Sequence, residues 1–261
     1  MAINTAKRRM LDGKVAIGAE AGIGSPLSAG MLSRLGFDWV LVDMQHGAWD
    51  ESTAMAAFHE ISLGSATPMA RVRQNNYASI GQLLDRGALG IVVPMVNSVK
   101  EAQEASHAMR FQPGGGRSGG WFATAHLGED YMDWIDDEVF LAVQIETAAA
   151  VKYAEGIMAV DGVDGCWVGP GDLQRSMGVD LDTADGKKAH EEAILSVVEA
   201  CRRTGKISGI SAQSQEMAQH WFDRGMQFVT TGADSEWAEE GARGVLSHLR
   251  DANQQSRLDF I

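Results

Sequence analysis

Between residues 139 and 178 two short apolar runs flank a segment of helical periodicity, and that order admits few folds. Residues 139–145 are apolar apart from Gln144 and stop at Glu146. Residues 163–168, also mostly apolar, stop at the turn Gly169-Pro170-Gly171-Asp172. Runs this short and this hydrophobic read as strands covered on both faces. Residues 147–160 have helical spacing, so the unit is strand, helix, strand, with parallel strands and a right-handed crossover. Glu146 and Asp172 therefore leave the same edge of one sheet.

The alternation continues along the whole chain. Strands are expected at residues 15–20, 37–44, 69–72, 89–96, 139–145, 163–168, 207–210 and 228–231. Helices are expected at 26–35, 50–63, 78–86, 99–110, 147–160, 187–203 and 235–252, with Pro26 in a first turn and Gly87 as a left-handed cap. Eight such units in 261 residues, with no low-complexity linker, predict an α/β chain forming one (β/α)8 barrel domain over residues 1–261. An open doubly wound sheet is the competing architecture. Against it, GAEAGIGSP is a poor dinucleotide fingerprint and no GxxxxGK[ST] phosphate loop occurs. The glycine-rich stretch FQPGGGRSGGWFATAH is too long for a simple connector and is expected to carry function, with His126 reaching the barrel mouth or Trp121 lining a pocket or subunit contact.

A net charge of −13 disfavours nucleic-acid binding, which needs an excess of lysine and arginine along the phosphates. Two cysteines, Cys166 on an expected strand and Cys201 on an expected helix, offer neither a disulfide framework nor a paired-cysteine zinc site. The start MAINTAKRRMLDGK lacks a signal-peptide pattern, and no apolar run is long enough to span a bilayer. A cytoplasmic enzyme with small-molecule partners, and with neither nucleic acid nor membrane, is the expectation.

In a barrel of this kind catalytic groups gather at the carboxyl ends of the strands. Glu146 and Asp172 there make a hard oxygen site suited to a divalent cation, Mg²⁺ or Mn²⁺ first and Co²⁺ or Zn²⁺ less so, with water and substrate oxygens completing the shell. The alternative is that both acids merely cap helices. Other polar residues at strand ends are Glu20, Asp43, Gln45, His46, Arg71, Arg73 and Gln144. His46 titrates near neutrality and suits a general base. Arg71 either binds a carboxylate or developing oxyanion, or pairs with an acid such as Asp43.

The segments FDWVLVDMQHGAWD, ARVRQNNYASIGQLLDRGALGIVVPMV, GGGRSGG, VQIETAAAV and VDGVDGCWVGPGDL occur in the order found in the HpcH/HpaI aldolases, which the chain resembles over residues 18–231. The resemblance implies a metal-dependent (class II) aldolase on a (β/α)8 barrel, a homohexamer with a C-terminal helix exchanged between subunits. Its reaction would cleave a 4-hydroxy-2-oxo acid to pyruvate, or a close 2-oxo acid, and an aldehyde. It assigns Glu146 and Asp172 as metal ligands, the Gly171 and Asp172 amides as the cradle for the donor's carboxylate, with Gln144 beside it. His46 becomes the base, Asp85 the acid that orients His46, and Arg71 the group beside the keto oxygen.

Three departures bear on specificity. Met44-Gln45-His46 stands where many members have Gly-Glu-His, replacing a carboxylate with an amide. Gly171 stands where alanine or threonine is more usual, widening the cradle. Glu20 stands where an apolar residue is common, and with Asp43 and Gln45 it is placed on the acceptor side, disfavouring anionic aldehydes. The competing functions are a lyase for CoA thioesters or citramalate-like acids and a non-catalytic barrel. The first wants a basic surface this chain lacks, and the second has no use for a base.

Overall fold

The computed structural model describes residues 3–258, with side chains described as far as residue 250. Eight parallel strands close into a barrel in sequence order. They are β1 Ala16–Ala21, β2 Trp39–Asp43, β3 Thr67–Arg71, β4 Gly90–Val93, β5 Phe140–Ile145, β6 Gly165–Val168, β7 Gly209–Ser211 and β8 Phe228–Ala233. All residues of β2, β3, β4, β5 and β6 are buried, which is why those runs lack a polar face. The open-sheet alternative is excluded by the β1–β8 pairing, Ala16 with Phe228 and Ile17 with Val229.

Inside the barrel, Trp39, Leu41, Met69, Phe140, Trp167 and Phe228 form an apolar plug. Trp39 stacks on Phe228 with centroids 4.0 Å apart. Gly18 makes room for the indole, since a Cβ there would sit 2.2 Å from the Trp39 ring. The helix Thr5–Leu11, not anticipated from the sequence, closes the amino end of the barrel by joining Ala6 and Met10 to this plug. Asn4 caps it and anchors it, donating to the carbonyls of Leu89 and Glu138.

Outside, helices pack against the outward residues of the strands. Residues 147–160 form two short helices, Ala148–Lys152 and Ala154–Met158, where one was expected. The glycine-rich stretch also differs from expectation. It contains the helix Trp121–Leu127 and leads into a second, Tyr131–Glu138. It starts where the helix Val99–Met109 ends and finishes where β5 begins, so it belongs to the amino end of the barrel, away from the mouth. His126 accordingly bonds His59 at 2.8 Å, near the end of the helix Glu51–Ser62, and Trp121 is exposed. Among the described residues no helix is long and apolar enough to cross a membrane.

Candidate active site

Strand geometry turns alternate residues inward, so each strand that contributes to the plug also sends its next inward residue upward to the mouth. Above the plug lie Glu20 of β1, Asp43 of β2, Arg71 of β3, Gln144 of β5, Ser211 of β7 and Thr230 of β8. A polar floor thus caps an apolar core.

Arg71 is the hub of that floor. Its Nε donates to Asp43 Oδ1 at 2.8 Å and its Nη2 to Oδ2 at 2.6 Å, a bidentate pair with both residues buried. The guanidinium carbon lies 5.2 Å from the Trp167 ring centroid. Burial alone would lower the Arg71 pKa, but the hydrogen bonds to Asp43 and the charges of Asp43, Glu20 and Glu146 leave it raised. Asp43 Oδ1 also accepts the backbone N–H of Gln45 at 3.0 Å and of His46 at 3.3 Å. One carboxylate therefore fixes both the arginine and the loop that carries His46. The His46 residue is exposed at the mouth, and among the described residues no hydrogen bond holds its ring.

Glu146 follows β5 and is buried. Its Oε1 accepts the Met95 N–H at 2.8 Å and its Oε2 accepts Gln144 Nε2 at 2.6 Å. Met95 reaches this position with a φ of 56°, in the left-handed region that non-glycine residues seldom occupy. Burial pushes the Glu146 carboxyl above its ordinary pKa, and the Asp172 charge pushes it further. Because Ile145 pairs with Val168, the carboxyl ends of β5 and β6 lie side by side. Asp172 sits in the first turn of the helix Pro170–Met177, half exposed, 3.0 Å from Arg175 Nη1. A Cβ on Gly169 would stand 2.7 Å from Glu146 Oε2 and 2.9 Å from Gln144 Nε2. Only glycine leaves that space open.

The donor set fits a hard divalent cation. Glu146, whose proton affinity is raised by burial and by the Asp172 charge, gains from a nearby cation, and among the described residues the buried Gln144 Oε1 has no hydrogen-bond partner. Among the described residues no cluster of three or more His, Cys, Asp and Glu side chains occurs, so oxygens from water or substrate would complete the shell.

Asp85 departs from expectation. It ends the helix Tyr77–Asp85, next to Leu89, whose N–H bonds Pro68 at the start of β3. That is the amino end of the barrel, whereas His46 is at the carboxyl end. Asp85 instead holds Arg117 of the glycine-rich stretch, whose guanidinium also bonds Tyr131 and stacks on Phe111. Within one chain it does not orient His46. Ser211, Thr230 and Met95 went unread in the sequence, since their place on the floor depends on inward parity and on a backbone twist that no motif marks. Gln45 lies on the loop, and among the described residues its buried Oε1 has no hydrogen-bond partner.

Comparison with known proteins agrees with this geometry. The HpcH/HpaI aldolase/citrate lyase family model matches residues 23–240. A 4-hydroxy-2-oxo-heptane-1,7-dioate aldolase from Klebsiella pneumoniae is 34% identical over 253 residues, covering 94% of each chain. A hydroxypyruvate/pyruvate aldolase from Roseovarius nubinhibens is 33% identical, covering 95% of this chain and 97% of its own. The crystal structure of a family member from Burkholderia cenocepacia superposes with a TM-score of 0.86 at 28% identity, over 95% of this chain and 99% of that one. With the closed barrel, the acidic pair after β5 and β6 and a family match across most of its length, this chain belongs to the HpcH/HpaI aldolase/citrate lyase family.

Proposed function

We propose that the chain is a divalent-metal-dependent aldolase, a carbon–carbon lyase that reversibly cleaves a 4-hydroxy-2-oxo acid into pyruvate, or a close 2-oxo acid, and an aldehyde. The observation that carries this reading is the acidic pair Glu146 and Asp172 at adjacent strand ends, facing a lumen that holds one fixed guanidinium, Arg71. The relatives named as aldolases of a 4-hydroxy-2-oxo dioate and of hydroxypyruvate or pyruvate support the reaction class.

The residues divide the work by position. Glu146 and Asp172 would hold the cation, Mg²⁺ or Mn²⁺, which supplies Lewis-acid polarisation of the donor's keto group. The free N–H groups of Gly171 and Asp172, at a helix start, receive the donor's carboxylate, with Gln144 beside them. Arg71, fixed by Asp43, offsets the negative charge that develops on the keto oxygen as a proton leaves the adjacent carbon. His46, at the mouth and free to turn, takes that proton and returns one to the aldehyde oxygen. In the cleavage direction the same residues run in reverse order. Among the described residues no lysine stands at the carboxyl end of a strand, so a Schiff-base route lacks its amine.

Assembly belongs to the same reading. The C-terminal helix Asp234–Leu258 carries exposed Val245, Leu246 and Leu249, a stripe suited to a subunit contact, which supports an oligomer with that helix exchanged. A hexamer in the cytoplasm is what the family resemblance implies. The test is exchange of pyruvate methyl protons in D₂O followed by NMR, with chelator and with added Mn²⁺ or Mg²⁺. Exchange should require the metal and disappear in His46→Ala and Glu146→Ala. Metal-independent exchange, or none with any divalent ion, would sink the proposal.

A further inference from the structure

The helix Pro170–Met177 starts without a side-chain cap, since its N-cap is Gly169. By contrast, the helices Ala148–Lys152 and Ala184–Thr204 start at Thr147 and Thr183, each of which accepts an amide of its own first turn. An open start suits a carboxylate ligand, because a side chain bonded to those amides would compete with it. It also leaves the turn to be positioned from outside. The Gly169 N–H donates to Ile145 O at 3.2 Å, tying the residue before the helix to β5, and Ser176 Oγ accepts the Ala148 N–H at 3.1 Å, tying the far end. The first turn itself is met by His190. This residue lies on Ala184–Thr204, whose buried stripe includes Gly186, His190, Ile194, Val197 and Cys201. An apolar residue is expected at such a position, and a buried imidazole there needs a partner. Its Nε2 lies 2.9 Å from the Pro170 carbonyl oxygen. A carbonyl only accepts, so Nε2 carries a proton and donates it.

We infer that His190 is a positioning residue: by donating to the Pro170 carbonyl it aims the Gly171 N–H that receives the donor's carboxylate. The inference rests on the aldolase reading and names what keeps its carboxylate cradle in register. The Pro170 carbonyl and the Gly171 N–H belong to one peptide unit, which is planar and trans. Holding the oxygen on one side therefore fixes the N–H on the other. Rotation of that plane is resisted little by Gly171, whose φ is free, and Pro170 has no N–H with which to anchor it. A donor on the oxygen also polarises the peptide, which makes its N–H a stronger donor to an anion. Asp172 follows directly, so the same contact sets where its carboxylate stands relative to Glu146. The imidazole touches neither substrate nor cation and acts through the backbone of Pro170 alone.

The test measures methyl-proton exchange of pyruvate in D₂O with Mn²⁺ for wild type, His190→Leu, His190→Asn and His190→Gln. A glutamine amide nitrogen reaches the place of imidazole Nε2, and an asparagine amide falls short of it. His190→Leu and His190→Asn should raise KM roughly 10-fold, the effect of losing one buried hydrogen bond, with kcat within about 2-fold of wild type. His190→Gln should restore KM to within about 3-fold of wild type. A second readout needs neither metal nor turnover. Amide exchange of the segment 169–178 in the metal-free protein, followed by mass spectrometry, should quicken in His190→Leu and His190→Asn and not in His190→Gln. Ile194→Ala, one turn along the same stripe, loosens the helix packing without touching Pro170 and should lower Tm while leaving KM within about 2-fold. If wild type exchanges but His190→Gln fails to restore KM, the loss falls on kcat, or Ile194→Ala raises KM as much as His190→Leu, the tether is refuted and the aldolase reading stands. If wild type exchanges no pyruvate protons with any divalent ion, the aldolase reading falls and takes the inference with it.

Discussion

Asp43 should be the most sensitive single position in the mouth, because three donors depend on its carboxylate. Asp43→Ala removes the bidentate partner of Arg71 and the acceptor for the Gln45 and His46 amides. Breaking a buried ion pair from one side costs about 3–5 kcal/mol when the remaining charge has no other partner. Here Glu20 and Glu146 still bear on Arg71, which pulls the cost of that loss to the low end of the range. The two freed loop amides can turn to water and add little. The expected loss is about 3 kcal/mol, or about 6–12 °C in Tm at roughly 2–4 °C per kcal/mol for a chain of this size. Thermal melts of wild type, Asp43→Ala, Arg71→Met and the double variant close the cycle. The double variant should be more stable than Asp43→Ala, since it no longer buries an uncompensated cation. A shift under about 2 °C in Asp43→Ala, or a double variant less stable than it, would refute the reasoning that Arg71 is held by this pair.

Further outcomes follow from single contacts. Glu146→Gln should abolish the rise in Tm that Mn²⁺ gives, a stabilisation of about 2.7 kcal/mol at a hundredfold excess over Kd, and a retained rise would move the metal elsewhere. His59 is held below its ordinary pKa of 6.5, first by burial and then by the neighbouring charge of His126, so the unfolded chain takes up the proton more readily. Its contribution is therefore present above pH 6.5 and lost as pH falls below that value, and amide protection factors in the helix Trp121–Leu127, with the intrinsic pH dependence divided out, should fall between pH 7.5 and 5.5, unchanged protection counting against the link. A Cβ on Gly171 meets nothing nearer than Arg175 Nη1 at 4.0 Å, so Gly171→Ala should stabilise the helix start by about 0.4–1 kcal/mol in urea titration and raise KM for bulkier donors more than for pyruvate. A destabilised Gly171→Ala would mean the cradle has less room than the backbone suggests.

The barrel was legible because parallel strands buried on both faces must be written as short apolar runs, and several of the runs here end at a polar residue, as β2 does at Asp43 and β3 at Arg71. The amino-terminal helix was not, since it touches the plug through only Ala6 and Met10 and otherwise reads as a basic leader. The helices Trp121–Leu127 and Tyr131–Glu138 follow a run of glycines and lean on tertiary contacts, such as Arg117 to Tyr131, that no local pattern announces. The Glu146 and Asp172 pairing was legible for a topological reason, as a right-handed crossover returns both strands to the same edge. Asp85 shows what one chain leaves unread: the direction of its helix takes it to the other end of its own barrel from His46, so a contact between the two would have to join different subunits. Ser211 and Thr230 were hidden because which face a strand residue takes is set by register with its neighbours, and β7 is only three residues long.

The charges of the floor tie these placements to the chemistry. Glu20, Asp43 and Glu146 bear on Arg71 while Asp172 pairs with Arg175, so with every group ionised two negative charges lack a counterpart. A lumen in that state repels a 2-oxo acid. Burial is the first cause that raises Glu20 and Glu146, and the charges of Asp43 on the one and Asp172 on the other add to it. On the proposed reading, a divalent ion held by Glu146 and Asp172 would offset the negative charge at that wall. The donor's single carboxylate then meets helix amides at the start of Pro170–Met177 and not an acid. A second carboxylate directed at Glu20 would find no such relief, so on that reading the arrangement that calls for a cation also disfavours dianionic substrates.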